Sequence, residues 1–317
     1  MVKSGKINVV FFGTPAGVSA YIHQLYRDEN LLAVVTQPPK VSGRGFKLVN
    51  PPVGEEARQL CIKHFYPERL DDKKFLDELG SLEIDLCVVA AFGRKIPREC
   101  LDIPKNGFIN IHYSLLPKYR GPAPIQHALL NSEKTTGVTV FFLNEKIDEG
   151  PIIAQKELEI TRDDDYISLE NKLTSAGQVL LEETIGSIKK SAVKYKEQKG
   201  EASRAPLIKK EDGRIKWEMN AYRINAQVKA FIKWPKAFFK IPDGSFANVL
   251  KASVSPSASF AELTPGTVAG VEKNRGFVVK CGDLGLVIER LCPQGKKEMP
   301  AWAFWQGGKL KIGDMLV

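Results

Sequence analysis

The chain has 317 residues, 43% of them hydrophobic and 26% charged, a balance that suits a folded globular protein of about two domains and excludes a disordered one. No apolar run reaches the roughly 20 residues of a membrane-spanning helix. The five cysteines (Cys61, Cys87, Cys100, Cys281, Cys292) form no C-x-x-C pair and the four histidines (His23, His64, His112, His127) lack ligand spacing, so the chain reads as cytoplasmic, with no disulfide scaffold and no metal.

Residues 7–12 form a near-continuous apolar run that ends at Gly13, Thr14 and Pro15 without a small-residue cleavage site. This reads as a first strand and not as a signal peptide. Such runs suit strands covered on both faces, as in parallel sheets. The pattern predicts a helix over 18–26, strands over 31–35 and 60–65, and a helix with an acidic face over 70–79. Buried strands follow over 84–91 and 108–112, two more over 137–143 and 151–155, and a helix over 168–189. Strands alternating with helices predict an α/β sheet with crossover connections, whose ligand crevice lies outside the carboxyl ends of the strands. Gly13 and Gly17 stand at the first such end but do not complete G-x-G-x-x-G. Thr36, Gln37 and Pro38, none of them acidic, follow the second strand, so a dinucleotide site is disfavoured.

Residues 190–206 are polar and lysine-rich and read as an exposed linker between a first domain, 1–189, and a second, 207–317. In the second, a helix is predicted over 220–231 and short strands over 237–241, 249–254, 266–271, 276–281 and 285–290, which fits a small β-barrel of the oligonucleotide-binding type. Of the net charge of +9, none comes from residues 1–190, with 24 basic and 25 acidic side chains, whereas residues 191–317 carry 22 basic and 12 acidic. A basic field on one module suits a polyanionic partner such as nucleic acid, or simply a lysine-rich soluble surface.

Asn110 and His112 alternate with Ile109 and Ile111, so in a strand an amide and an imidazole project together from one face. Asp148 falls in a turn after another strand. A histidine near a carboxylate gains an oriented tautomer and a stabilised imidazolium, and an amide beside them can donate to a developing oxyanion. That is equipment for acyl transfer without a covalent intermediate, since Ser114 lies in no G-x-S-x-G elbow. The same spacing also suits a turn-stabilising Asn, a core His and a turn Asp.

The run from Asn110 through His112, Leu115, Leu116, Pro117 and Arg120 to Gly121, together with Asp148, Glu149 and Gly150, closely resembles the signature of folate-dependent formyltransferases. The start from Val9 to Pro15, the loop from Thr36 through Arg44 and Lys47, the segment Arg214 to Trp217 and the run Lys233, Trp234, Pro235 resemble the branch of that family that acts on an aminoacyl-tRNA. The resemblance runs along nearly the whole chain.

It implies a Rossmann-like catalytic domain with a mainly parallel sheet, and a smaller C-terminal β-barrel. It implies transfer of the formyl group of 10-formyltetrahydrofolate to the α-amino group of methionine on initiator tRNA for translation initiation, by a monomer that binds no metal or membrane. The family's catalytic residues fall on Asn110, His112 and Asp148: the first two would donate to the formyl oxygen, and Asp148 would orient His112 and take a proton from the amine. Folate contacts fall on Ala90, Phe92, Gly93 and Ile96, of which Phe92 and Ile96 without the resemblance read simply as core, and on Ser114, Leu115, Leu116 and Pro117. Contacts to tRNA fall on Arg44 and Lys47, in a Gly-rich basic loop that alone would read as a solvated connection, and on Lys209 and Lys210. Three departures stand out: Tyr113, where a smaller residue or proline is common, implies a reshaped mouth; Phe92 lacks a common tyrosine hydroxyl; and the tail over 299–317 matches loosely. A related formyltransferase acting on an amino nucleotide sugar is the close alternative, but it gives no reason for a basic second module.

Overall fold

The computed structural model describes residues 5–42, 47–256, 260 and 262–317. In chain order the elements are β1 (Asn8–Gly13), α1 (Ser19–Asp28), β2 (Asn30–Val35), β3 (Lys40–Ser42), β4 (Lys47–Val49), α2 (Pro52–Gln59), β5 (Lys63–Phe65), α3 (Lys73–Gly80), β6 (Leu86–Ala90), α4 (Arg98–Leu101), β7 (Phe108–His112), α5 (Pro124–Leu130), β8 (Thr135–Phe142), β9 (Ile152–Glu159) and α6 (Tyr166–Lys189). They continue with α7 (Ala221–Ala230), β10 (Ala237–Lys240), β11 (Phe246–Ser255), β12 (Val268–Glu272), β13 (Gly276–Lys280), β14 (Gly285–Pro293), β15 (Met299–Pro300) and α8 (Ala301–Gln306). The chain divides into two compact units. One holds the chain up to Pro124, Thr135–Glu159 and Glu170–Pro206; the other holds Ile125–Lys134, Ile160–Leu169 and Leu207–Val317.

The first unit is built on a seven-stranded sheet of order β5-β2-β1-β6-β7-β8-β9. The first five strands of that order run parallel, and β8 and β9 add antiparallel pairs at one side. The apolar run of β1 sits at the centre, with Val9, Val10, Phe11 and Phe12 all at 0% exposure. A strand with both faces covered cannot alternate polar and apolar residues, which is why this segment reads as continuous. Phe12 meets the rings of Phe92 and Phe108 at 5.4 and 5.2 Å, closing one face of the core.

Helices α2, α4, α5 and α8 escaped the sequence reading, two of them for one shared reason. Both α2 and α5 begin on a proline, Pro52 and Pro124. Proline is tolerated in the first turn because its missing N–H would have no helical partner there. The third strand is shorter than the 60–65 expected, because Leu60 closes α2 and Cys61 turns left-handed at φ 55°. Residues 190–206, expected as an exposed linker, are mostly exposed and are also bonded to the first unit. Lys196 pairs with Ile152 in both directions, and Ser203 and Ala205 bond the backbone on either side of Arg120.

The second unit contains an antiparallel sheet of order β10-β11-β14-β13-β12, with β15 on β14. Its core includes Trp217, Ile224, Phe239, Phe277, Ile288, Leu291 and Leu316. The C-terminal tail, which matched the family loosely, closes this sheet. Val268 N and Leu316 N donate across the β12 edge to Asp314 O and Gly266 O at 2.8 and 2.9 Å, and Val317 exchanges both backbone bonds with Lys240 of β10 at 2.6 and 3.0 Å. The two edge strands are thereby joined through the tail, as a barrel requires. Among the described residues no helix is long and apolar enough to cross a membrane.

Removing residues 314–317 reopens both edges and uncovers the apolar core that Leu316 packs against. The truncated chain should lose roughly 5 °C or more in Tm and gain a tendency to self-associate, read by calorimetry and by light scattering.

Candidate active site

Strand β7 places Asn110 and His112 on one face, with Ile111 and Tyr113 on the other. Parallel pairing sets Val89 of β6 beside Asn110, and antiparallel pairing sets Phe141 and Thr139 of β8 beside Asn110 and His112. The Asn110 side chain is half-buried and makes no hydrogen bond among the described residues. His112 is 6% exposed, and its Nε2 lies 2.9 Å from the Tyr119 carbonyl. A carbonyl can only accept, so Nε2 carries the hydrogen, and Nδ1 is the nitrogen free to gain or lose a proton. Nδ1 faces Asp148 Oδ2 at 3.7 Å.

Asp148 is 9% exposed and sits in a turn with φ +52°, left-handed and costly for a non-glycine residue by about 1 kcal/mol or more. The surroundings over-determine this conformation. Gly121 N–H donates to Asp148 Oδ2 at 2.7 Å. The Gln198 amide donates to the carbonyls of Asp148 and Gly150 at 2.8 and 2.9 Å. Its Oε1 accepts from Arg120 Nη2 at 2.8 Å, and Arg120 Nη1 pairs with Glu149 at 3.1 Å. Gly121 itself has φ +120°, and a Cβ there would meet Ala205 O at 2.6 Å. Glycine is required on both counts.

The loop after β7 is fixed from β8 and β9. Thr139 Oγ1 donates to Ser114 O at 2.6 Å and accepts from Leu116 N at 3.2 Å, and Gln155 Nε2 donates to Leu116 O at 2.8 Å. Ser114 is fully buried and its hydroxyl donates to Lys118 O at 2.6 Å. Leu116 packs with Phe141 and Ile152, and a Cβ on Gly137 would strike Leu115. Leu115 and Pro117 are half-buried, the latter after a cis peptide bond. Ser114 and Leu116 therefore shape this loop from within.

Ala90 ends β6, and Phe92 and Ile96 belong with Phe12 and Phe108 to one apolar cluster, at 2% and 6% exposure. The Phe92 carbonyl accepts from Gln37 Nε2 and Thr14 Oγ1 at 2.8 and 3.0 Å. Ala91 and Gly93 on either side are exposed and left-handed, at φ 45° and 76°. Arg44 lies outside the described residues. Lys47 opens β4, opposite Ser42. Lys209 and Lys210 are exposed residues of the second unit, beside a turn over Lys210–Gly213. Among the described residues no group of three metal-binding side chains is present.

Tyr113 does not shape the mouth of the site, as its place in the sequence had implied. It lies on the opposite face of β7, where its hydroxyl is 3.1 Å from that of Tyr21 and 2.8 Å from Thr174 Oγ1. Burial pushes both phenols up, Tyr21 strongly, so they stay neutral donors in this network. The supports that sequence reading missed are Tyr119, Gly121, Thr139, Gln155, Gln198 and Ser203. Most act through backbone atoms or sit far away in sequence, and only the glycine carried a local signal.

The family described as Formyl transferase matches residues 6–185, and the one described as Formyl transferase, C-terminal domain, matches residues 207–309, which defines the class. The methionyl-tRNA formyltransferase of Thermodesulfovibrio yellowstonii is 39% identical over 306 residues, covering 96% of this chain and 97% of that protein. That of Halalkalibacterium halodurans is 39% identical over 315 residues, covering 98% of each. The chain belongs to the methionyl-tRNA formyltransferase family. Its fold is also that of HypX from Aquifex aeolicus, solved with tetrahydrofolic acid, with a TM-score of 0.66 and 19% identity over 97% of this chain and 48% of that one, so the chain spans about half the length of HypX. The N-formyltransferase of Helicobacter canadensis, solved with folinic acid and dTDP-3-aminofucose, shares the fold at a TM-score of 0.65 and 20% identity, covering 89% of this chain and 98% of that one.

Replacing Thr139 by Val leaves Leu116 N and Ser114 O without their partner, and should cost about 1–3 kcal/mol, measured by denaturant unfolding. Gly121→Ala should displace the N–H from Asp148, lowering turnover by about a hundredfold in a formylation assay.

Proposed function

We infer that the chain transfers the formyl group of 10-formyltetrahydrofolate to the α-amino group of methionine on initiator methionyl-tRNA. The product is formyl-methionyl-tRNA for translation initiation in the cytoplasm. The observation that carries this is the convergence of Asn110, His112 and Asp148 in a chain of the methionyl-tRNA formyltransferase family.

The folate suits the segment 90–93, which turns its bulky Phe92 ring inward and leaves exposed backbone at Ala91 and Gly93. A pterin edged with donors and acceptors is matched by peptide groups of this kind. Bound there, the co-substrate supplies a carbonyl carbon at the formyl level. Asn110 Nδ2 donates to the carbonyl oxygen as it gains negative charge, and the amide is ready because it has no partner in the protein among the described residues. His112 assists through Nδ1, since Nε2 is committed to Tyr119 O. Asp148 Oδ2 is held by Gly121, which leaves Oδ1 to accept the proton that the attacking amine loses as its bond to the formyl carbon forms; the bond from that carbon to N10 then breaks, and N10 takes up a proton to leave as tetrahydrofolate. Basic side chains of residues 207–317, Lys209 and Lys210 among them, track the tRNA backbone, and Arg44 and Lys47 reach its acceptor end.

Asn110→Ala and Asp148→Ala should each lower turnover on the order of a hundredfold in an assay with methionine-charged initiator tRNA, with an amino nucleotide sugar as a parallel acceptor. Formyl transfer to the sugar and not to the tRNA would overturn the choice of acceptor. Arg44→Ala should raise KM for the tRNA and leave folate binding unchanged; equal damage to both would refute that division.

A further inference from the structure

We propose that Gln198 is a positioning residue for Asp148: it holds the left-handed turn that aims the carboxylate, and so sets turnover without touching substrate. The inference rests on the reading of Asp148 as the proton acceptor. Gln198 lies in the polar stretch that looked like a linker. It is half-buried, between the exposed Glu197 and Lys199. Packing gives no reason for a glutamine there; its hydrogen bonds do.

The amide meets the turn directly at Asp148 and Gly150, and at Glu149 through Arg120. Both Nε2 hydrogens go to carbonyls, to Asp148 O at 2.8 Å and Gly150 O at 2.9 Å. Oε1 accepts from Arg120 Nε and Nη2 at 3.2 and 2.8 Å, and the same guanidinium reaches Glu149 Oε1 at 3.1 Å. With its own carbonyl pinned, Asp148 keeps φ +52°, which leaves Oδ2 2.7 Å from Gly121 N and 3.7 Å from His112 Nδ1. Simple anchoring of the 190–206 stretch is already supplied elsewhere. Lys196 pairs with Ile152, Ser203 O accepts from Arg120 N at 2.9 Å, and Ala205 N donates to Arg120 O at 2.7 Å.

The geometry demands an amide. Two donors must face two carbonyls while one acceptor faces an arginine, and only a primary amide carries that set on one planar group. A glutamate at 198 keeps the bond to Arg120 but turns a second oxygen toward the two carbonyls. Its size is unchanged, so it separates loss of the donors from loss of the side chain.

The test is a double-mutant cycle on the full chain, with 10-formyltetrahydrofolate and methionyl-tRNA. Gln198→Ala should lower kcat about tenfold or more and leave KM for both substrates within about twofold; Gln198→Glu should fall at least as far. In an Asp148→Ala background, adding Gln198→Ala should change the residual kcat by less than about twofold, because a residue that acts through Asp148 has nothing left to position. A wild-type kcat in Gln198→Ala, or equal losses in both backgrounds, overturns the proposal. An activity-independent measurement separates it from the functional reading. Exchange of the Gly121 amide hydrogen, which bonds Asp148 Oδ2, should quicken about tenfold or more in Gln198→Ala while the β7 amides stay protected. If the unaltered chain formylates no tRNA, the functional reading falls and Gly121 exchange still decides: unchanged exchange refutes the role of Gln198, faster exchange supports it.

Discussion

The site depends on one short charge-assisted hydrogen bond, the 2.7 Å contact from Gly121 N–H to Asp148 Oδ2. It joins the loop that follows β7 to the turn that follows β8. The loop is the same one whose Tyr119 carbonyl fixes His112 Nε2. A single backbone path from residue 119 to 121 therefore determines both where the carboxylate stands and which imidazole nitrogen faces it. That path is itself bonded from outside: Tyr119 N donates to Ser203 Oγ at 2.9 Å, and Arg120 O accepts from Ala205 N at 2.7 Å. The close approach of Ala205 O to Gly121 leaves no room for a side chain.

The sheet explains why these parts meet. Strand β7 is the last parallel strand, and β8 pairs with it in the opposite direction. The chain leaves β7 at its carboxyl end just past His112, the end where the crevice of an open α/β sheet lies. Pairing of His112 with Thr139 puts a hydroxyl on the inside of the departing loop, and that hydroxyl holds both Ser114 and Leu116. The antiparallel addition is thus part of the site's construction, since it supplies the groups that keep the loop after β7 in place.

Much of this was legible in the sequence, and what was missed has physical causes. The doubly covered strands were readable because burial on both faces erases alternation, and Asn110 and His112 were readable because two-residue spacing fixes a common face. Helices α2 and α5 were missed because a starting proline looks like a breaker. The bonds that tie the 190–206 stretch to the first unit were not legible because they are backbone pairs and amide contacts, which leave no apolar period. Tyr113 was expected at the mouth, yet strand alternation puts it opposite His112, and its contact with Tyr21 spans 92 positions. Gln198 lies 50 positions from Asp148, and nothing near it in the chain announces the turn it grips.

The distribution of hydrogen bonds separates the support from the groups that act. Thr139, Gln155, Gln198 and Ser203 each have bonded polar atoms and point at backbone, which is what rigidity requires. Asn110 is the exception, half-buried on the same face as His112 with its amide unmatched among the described residues. A polar group partly removed from water without a partner is disfavoured in the free protein. The disfavour is relieved when an acceptor arrives, and most when that acceptor carries negative charge. On the proposed reading of Asn110, a donor held between β6 and β8 would stabilise a charged oxygen more than a neutral one, without reorganising as the charge develops. The bonds made by Thr139, Gln155, Gln198 and Ser203 hold in place the loop and the turn around that amide.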